Sequence, residues 1–203
     1  MDISRIAPPQ PYRALIFDCD GTLADTMPAH ARSWAATLRA FGHEIGEQPF
    51  LDMGGLPNQA IIETLNRDHA YGLDVAKTQE EKERRYIEGL HDIQEITAVA
   101  DIARAHHGKV PIAVASSGMG RIVRQTLTTT GLLPLFEVIV TADDVVHGKP
   151  APDLFLLAAE RLGVAPADCI VYEDGDPGLE AARRAGMRAV DIRVLWQNKM
   201  TGY

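Results

Sequence analysis

The sequence predicts an α/β fold, in which a parallel sheet covered by helices carries an inserted helical cap. Two observations predict the sheet: short apolar runs end in polar segments, and stretches with helical periodicity separate the runs. A third observation predicts the cap: in the middle of the chain, the apolar residues recur at helical spacing. The prediction assigns 1–27 and 96–203 to an α/β core domain and 28–95 to a helical cap domain.

Four apolar runs have the length and composition of buried strands. They are Ala14–Phe17, Ile112–Ala115, Val138–Val140 and 170–172. Strands that are apolar on both faces are typical of parallel sheets, whose ligands bind beyond the carboxyl ends of the strands. The polar residues that follow the four runs are therefore expected at one edge of the sheet.

The remaining periodic stretches predict helices. Between the strands these are 122–129, 154–162 and 179–185, the last ending at Gly186. In the cap, the apolar residues at helical spacing are Trp34, Leu38 and Phe41; Ile61, Ile62 and Leu65; and Tyr86, Ile87 and Leu90. Each of these three groups predicts an amphipathic helix.

Composition and charge exclude several classes of protein. The chain has 203 residues, of which 46% are hydrophobic and 24% charged, so we expect an ordered globular protein. Its formal net charge of −8 disfavours nucleic acid and anionic membranes as partners. Neither a signal peptide nor a membrane span is evident, and the two cysteines lack metal-ligand spacing. We expect a cytoplasmic location.

Two carboxylates follow the first predicted strand. Asp18 and Asp20 lie two positions apart, so in an extended segment both side chains point to the same side while Cys19 points away. Alone, this Asp-x-Asp-Gly segment is equally compatible with an ordinary turn. If it forms a site, the pattern favours Asp18 as a nucleophile that forms an aspartyl-phosphate and Asp20 as the general acid and base.

Later strand ends supply the complementary groups. Ser116 and Ser117 precede a predicted helix, where hydroxyl and backbone N–H groups suit a phosphate, and Lys149 would add positive charge. A strand-ending serine that caps a helix and a solvated lysine are the plainer interpretations. Carboxylates are ligands that Mg²⁺ prefers, and we assign the metal site to Asp18, Asp20, Glu173 and Asp174.

In this order, the motifs resemble those of the haloacid dehalogenase superfamily. The motifs are Asp18-Cys19-Asp20-Gly21-Thr22, Ser116, Lys149-Pro150 and Glu173-Asp174. The resemblance covers nearly the whole chain and implies a Rossmann-like core, a nucleophilic aspartate, Mg²⁺ and a small phosphorylated metabolite as substrate. The inserted cap is similar to that of the beta-phosphoglucomutase-like branch.

Within that branch, the sequence around Lys149 and Glu173 is most similar to bacterial phosphatases of fructose 1-phosphate and 6-phosphogluconate. His30 and Lys82 match a histidine and a lysine of the mutase cap, which favours sugar phosphates. Asn58, however, replaces the cap arginine with which the mutase binds a second phosphate. Helix residues exposed to solvent would be the plainer interpretation of His30 and Lys82.

The pair Gly54 and Gly55 predicts either a substrate-specificity loop or a turn between helices. The resulting expectation is an Mg²⁺-dependent phosphatase that hydrolyses a small phosphomonoester, of the sugar-phosphate type. The alternatives are a sugar phosphate mutase and a non-catalytic protein that binds a phosphorylated metabolite.

Overall fold

The computed structural model describes residues 3–54 and 56–196. The chain divides into two compact units. One comprises the residues up to Asp25 together with those from Gln94 onward, and the other is Thr26–Ile93. The domain assignment made from the sequence, with its boundaries at 27/28 and 95/96, remains a prediction.

The described residues form five strands and eight α-helices. The strands are β1 (Ala14–Phe17), β2 (Ile112–Ala115), β3 (Val138–Val140), β4 (Cys169–Glu173) and β5 (Arg188–Asp191). The helices are α1 (Met27–Ala40), α2 (Gln48–Asp52), α3 (Asn58–His69), α4 (Val75–Glu88), α5 (Thr97–His106), α6 (Gly120–Thr129), α7 (Asp153–Leu162) and α8 (Asp176–Arg184).

All five strands form one parallel sheet in the order β3-β2-β1-β4-β5. The strand β1 lies at its centre, where Phe17 pairs with Val114 on one side and Tyr172 on the other. Every residue of β1, β2 and β4 is buried. This complete burial explains why β1, β2 and the part of β4 before Glu173 are continuous apolar runs rather than alternating ones.

Successive side chains of β1 enter two different hydrophobic clusters. Leu15 and Phe17 pack with residues of α5 and α6, whereas Ala14 and Ile16 pack with residues of α7 and α8. The period of two that a strand imposes thus divides the apolar run between the two faces of the sheet. Helices cover both faces, and the carboxyl ends of the strands meet at one edge.

The second unit consists of α1 to α4 around its own hydrophobic cluster. Leu38, Ile62 and Leu65 are almost completely buried there, and the Trp34 ring stacks on Phe50 with 5.6 Å between centroids. The apolar spacing of the groups around Trp34 and Ile62 therefore belongs to a small helical core, and Tyr86 and Leu90 of the third group are also buried. Phe41 is an exception, since it follows the end of α1 and is 39% exposed.

The predicted fold class is confirmed, and the differences concern its outer elements. Sequence analysis does not identify β5, because this edge strand contains Arg188 and Asp191 and is only partly buried. It also does not predict α5, a helix with several alanines, or the five-residue α2. Among the described helices, none combines the length and the apolar character needed to cross a membrane.

One backbone conformation in the helical unit is unfavourable for its residue. Ala70 ends α3 in the left-handed region with φ of 55°, where a Cβ atom is disfavoured and glycine is the usual residue. We expect Ala70→Gly to raise the free energy of unfolding by about 0.5–1 kcal/mol. Urea unfolding monitored by circular dichroism measures the change.

The matched control is Ala60→Gly within α3, where the backbone is helical. There we expect the same exchange to lower the free energy of unfolding by about 1 kcal/mol. Destabilisation by both substitutions to the same extent would show that the left-handed conformation of Ala70 carries no strain.

Candidate active site

Asp18 directly follows the central strand and is held by the sheet. Its backbone N–H donates to the carbonyl of Tyr172 at 3.0 Å, which continues the pairing of β1 with β4 by one residue. The residue is only 6% exposed. Its carboxylate therefore starts from a fixed backbone position at the carboxyl edge of the sheet.

After Asp18 the chain turns sharply. The Cys19 carbonyl accepts the backbone N–H groups of Leu23 and Ala24, both at 3.0 Å, and Gly21 adopts φ of +83°. This positive φ is the conformation for which glycine is suited. Asp20 lies in the same turn and remains partly accessible, in contrast to buried Asp18. The two carboxylates thus occupy different environments.

A buried lysine joins two of the predicted site carboxylates. The Lys149 Nζ donates to Asp18 Oδ1 at 2.5 Å and to Glu173 Oε1 at 2.8 Å, and all three side chains are more than 90% buried. The Nζ also lies 5.0 Å from the centroid of the Phe155 ring. Lys149 is therefore a buried bridge between Asp18 and Glu173 and not a solvated surface residue.

The ionisation of these groups is set by burial and by their mutual charges. Burial raises the pKa of Asp18 well above its ordinary value; Lys149 opposes this effect, while Glu173 and Asp174 add to it. Burial and the charge of Glu173 raise the pKa of Asp174 to about 6. Burial alone would lower the pKa of Lys149, but Asp18 and Glu173 raise it above its ordinary value.

Asp18, Glu173 and Asp174 form an acidic cluster. One carboxylate oxygen from each lies within 4.8 Å of the others. Hard oxygen donors at this spacing fit a divalent cation. Burial is the main cause of the raised pKa values of Asp18 and Asp174, and the charge of Glu173 adds to both. The Asp20 carboxylate is not part of this three-residue group, so its assignment as a metal ligand remains a prediction.

Thr22 and Gly21, for which the sequence predicts no role in the site, hold Asp174 in place. The buried Thr22 hydroxyl donates to Asp174 Oδ1 at 2.8 Å. At Gly21, a Cβ would lie 2.9 Å from Asp174 Cγ and closer still to Oδ2, so a larger residue would displace the carboxylate. Gly21 and Thr22 are the next two residues after Asp20. Nothing in the neighbouring sequence indicates that they contact Asp174, which lies about 150 positions further along the chain.

The predicted phosphate-binding serines follow β2. Ser116 is 1% exposed, and its Oγ accepts the backbone N–H of Gly118 at 3.0 Å, whereas Ser117 is exposed. A Cβ on Gly118 would lie 3.3 Å from Ser116 Oγ and 3.5 Å from Asp20 Oδ2. Ser116 and Asp20 thus flank the same glycine, which places the loops after β1 and β2 side by side.

Two of the predicted cap residues are in contact within the helical unit. The Nζ of buried Lys82 lies 2.7 Å from His30 Nδ1, and the His30 ring stacks on Tyr86 with centroids 4.1 Å apart. Lys82 Nζ also lies 5.1 Å from the Tyr86 centroid and 5.9 Å from that of Trp34. The structure thus brings His30 and Lys82 together, between α1 and α4.

The other predicted cap residues lie elsewhere in the helical unit. Gly54 is in the turn after α2, where its N–H donates to the Leu51 carbonyl at 3.1 Å, and Asn58 is the first residue of α3. Gly55 lies outside the described residues. The contribution of these three residues to a substrate site remains a prediction.

Comparison with known proteins agrees with this arrangement. The family model of haloacid dehalogenase-like hydrolases matches residues 12–186. Fructose-1-phosphate phosphatase YqaB of Escherichia coli is 39% identical over 184 residues, which cover 91% of this chain and 98% of that protein. Hexitol phosphatase A of E. coli is 34% identical over 187 residues, covering 90% of this chain and 83% of that protein.

A solved structure also has a similar fold. The crystal structure of CbbY from Rhodobacter sphaeroides in complex with xylulose-(1,5)bisphosphate has a TM-score of 0.78 and 26% identity, covering 88% of this chain and 85% of that one. The match of the family model over most of the chain and the identity to whole-length relatives agree with the parallel sheet and its acidic edge. The chain belongs to the haloacid dehalogenase-like hydrolase family.

Proposed function

We propose that this hydrolase is a phosphatase that cleaves small phosphomonoesters of the sugar-phosphate class, with Asp18 as the nucleophile, Asp20 as the general acid and base, and Mg²⁺ as the cofactor. The observation that carries the proposal is the buried contact of Lys149 with Asp18 beside Glu173 and Asp174. A carboxylate that is buried, paired and fixed by the sheet is a suitable attacking group.

In the first step, an Asp18 oxygen attacks phosphorus while the bond from phosphorus to the substrate oxygen breaks. Asp20 donates a proton to the leaving alkoxide, so the alcohol departs and an aspartyl-phosphate remains. The different exposure of the two residues supports this division of roles. Burial suits a group that must attack, and accessibility suits a group that must exchange protons with water.

In the second step, Asp20 accepts a proton from water as that water attacks the aspartyl-phosphate. The bond between phosphorus and Asp18 breaks, and inorganic phosphate leaves with both carboxyl groups restored. Ser116 and the neighbouring backbone are our candidates for holding the phosphoryl oxygens. Lys149 supplies the positive charge next to the attacking oxygen.

Asp18, Glu173 and Asp174 are the residues that would hold Mg²⁺. Bound there, Mg²⁺ supplies positive charge that offsets the carboxylates and the phosphate dianion. The raised pKa values of Asp18 and Asp174 support this assignment, because both groups need further positive charge to remain ionised in a buried site.

The substrate class rests on the relatives. One relative reported above is named a fructose-1-phosphate phosphatase and the other a hexitol phosphatase. Both align with about nine-tenths of this chain. We therefore propose a phosphorylated sugar or sugar alcohol as the substrate.

The proposed nucleophile is tested with Asp18→Asn, which keeps the size of the side chain but removes its charge. We expect phosphate release to fall about a thousandfold or more, and release by the wild type to be lost on chelation and restored by added Mg²⁺. Phosphate is measured over a panel of hexose phosphates, hexitol phosphates and phosphogluconate.

Asp143→Asn is the matched control, because Asp143 also follows a strand but binds the Gly120 N–H at 2.9 Å instead of joining the acidic cluster. It should keep wild-type activity within about a factor of two, as expected for a substitution outside the reacting groups. Equal activity of Asp18→Asn and wild type would reject the mechanism. Binding of a phosphorylated sugar without any turnover would favour a non-catalytic role.

The hydroxyl of Thr22 offers a test of the metal site. Thr22→Val keeps the shape of the side chain but removes the donor to Asp174, so we expect the Mg²⁺ concentration for half-maximal activity to rise about tenfold or more. Activity at saturating Mg²⁺ should fall much less. Thr128→Val, which removes an exposed hydroxyl bonded within α6, is the control. An unchanged Mg²⁺ requirement would contradict the assigned role of Asp174.

The contact between His30 and Lys82 favours one other candidate, a sugar phosphate mutase, because both residues match the mutase cap in sequence. The products distinguish the two reactions. Phosphorus NMR of a hexose phosphate incubated with the protein should show inorganic phosphate only. If an isomerised sugar phosphate forms instead, and forms faster with added sugar bisphosphate, the reaction is phosphoryl transfer and not hydrolysis.

A further inference from the structure

Gly178 is a glycine inside a helix, where this residue is unfavourable. It is the third residue of α8 and is buried. Alanine stabilises a helix better than glycine does, so glycine at such a position points to a requirement for space. Its backbone φ is not positive, so conformational freedom is not the reason.

The space beside Gly178 is filled by the side chain of Glu173. A Cβ on Gly178 would lie 2.7 Å from Glu173 Cγ and closer still to Cδ and Oε1, whereas Cβ atoms essentially never approach other heavy atoms within 3.0 Å. Glu173 is 3% exposed and packs directly against the backbone of α8. Any residue other than glycine would therefore displace its carboxylate.

The Glu173 carboxylate has no room to adjust without losing its partners. Oε1 accepts from Lys149 Nζ at 2.8 Å, and Oε2 accepts the backbone N–H of Gly175 at 2.6 Å. Lys149 in turn donates to Asp18 Oδ1 at 2.5 Å. A displacement that begins at Gly178 thus reaches Asp18 through two successive hydrogen bonds.

We propose that Gly178 is a positioning residue: its missing side chain lets Glu173 lie against α8 and hold Lys149 on Asp18. This inference rests on the proposed function for the role of Asp18, and it extends the site to a residue that carries no reactive group. It also explains how Lys149, which lies in the loop before α7, is held in one position.

The test is a cycle of Gly178→Ala, Glu173→Asp and the double variant. In Gly178→Ala we expect kcat to fall at least tenfold and the affinity for inorganic phosphate, measured by calorimetry with Mg²⁺, to fall at least fivefold. Aspartate is one methylene shorter and withdraws from α8. The double variant should therefore melt at a higher temperature than Gly178→Ala.

Two other glycines provide matched controls. A Cβ on Gly46 would meet nothing within 4 Å, so Gly46→Ala should retain wild-type kcat and phosphate affinity. At Gly175, the added Cβ would lie 3.5 Å from Glu173 Oε2, an ordinary contact, so Gly175→Ala should lose less activity than Gly178→Ala. Comparing the three alanine variants separates the effect of a close contact with Glu173 from the general effect of replacing a glycine by alanine.

Wild-type kcat and phosphate affinity in Gly178→Ala would overturn the proposal, as would additive changes in melting temperature across the cycle. If Gly178→Ala is insoluble, a folded double variant supports the contact and an insoluble one rejects it. The melting temperatures do not depend on turnover. If wild type hydrolyses no phosphomonoester, the proposed function fails, while the contact between Gly178 and Glu173 is still tested.

Discussion

The arrangement at the edge of the sheet depends on the charge balance around Lys149. Two buried carboxylates, those of Asp18 and Glu173, share this one ammonium group. Carboxylates removed from water are costly unless they are paired and hydrogen-bonded, and removal of one partner leaves an uncompensated buried charge. Lys149 therefore keeps the cluster compatible with a folded protein, and the three carboxylates around one ammonium group are the basis for proposing a cation there.

The parallel sheet brings these groups together from distant parts of the sequence. Asp18 follows β1, Ser116 follows β2 and Glu173 ends β4, and these three strands are neighbours. The helices α7 and α8 serve a further purpose, since Phe155 lies near the Lys149 ammonium and Gly178 against the Glu173 side chain.

The sequence predicts the elements whose signals are local. Continuous apolar runs identify β1 to β4, and the carboxylates after β1 and β4 indicate a site, because strand ends of a parallel sheet share an edge. Features that depend on packing between distant parts of the chain cannot be predicted from the local sequence. The role of Thr22 requires knowledge of where Asp174 lies, and β5 has too few apolar residues to be recognised. Gly178 lies just before the predicted helix 179–185, and the need for a glycine there depends on the position of Glu173.

The backbone bond from Asp18 to Tyr172 has a consequence for motion. Because the Asp18 amide belongs to the hydrogen-bond ladder of the central strands, it can be released only when the most cooperative part of the fold opens. Asp20, two residues later, belongs to a turn whose opening does not disrupt that ladder. The proposed attacking group is thus fixed by the central ladder, whereas the proposed proton-transfer group lies in a turn that can move separately.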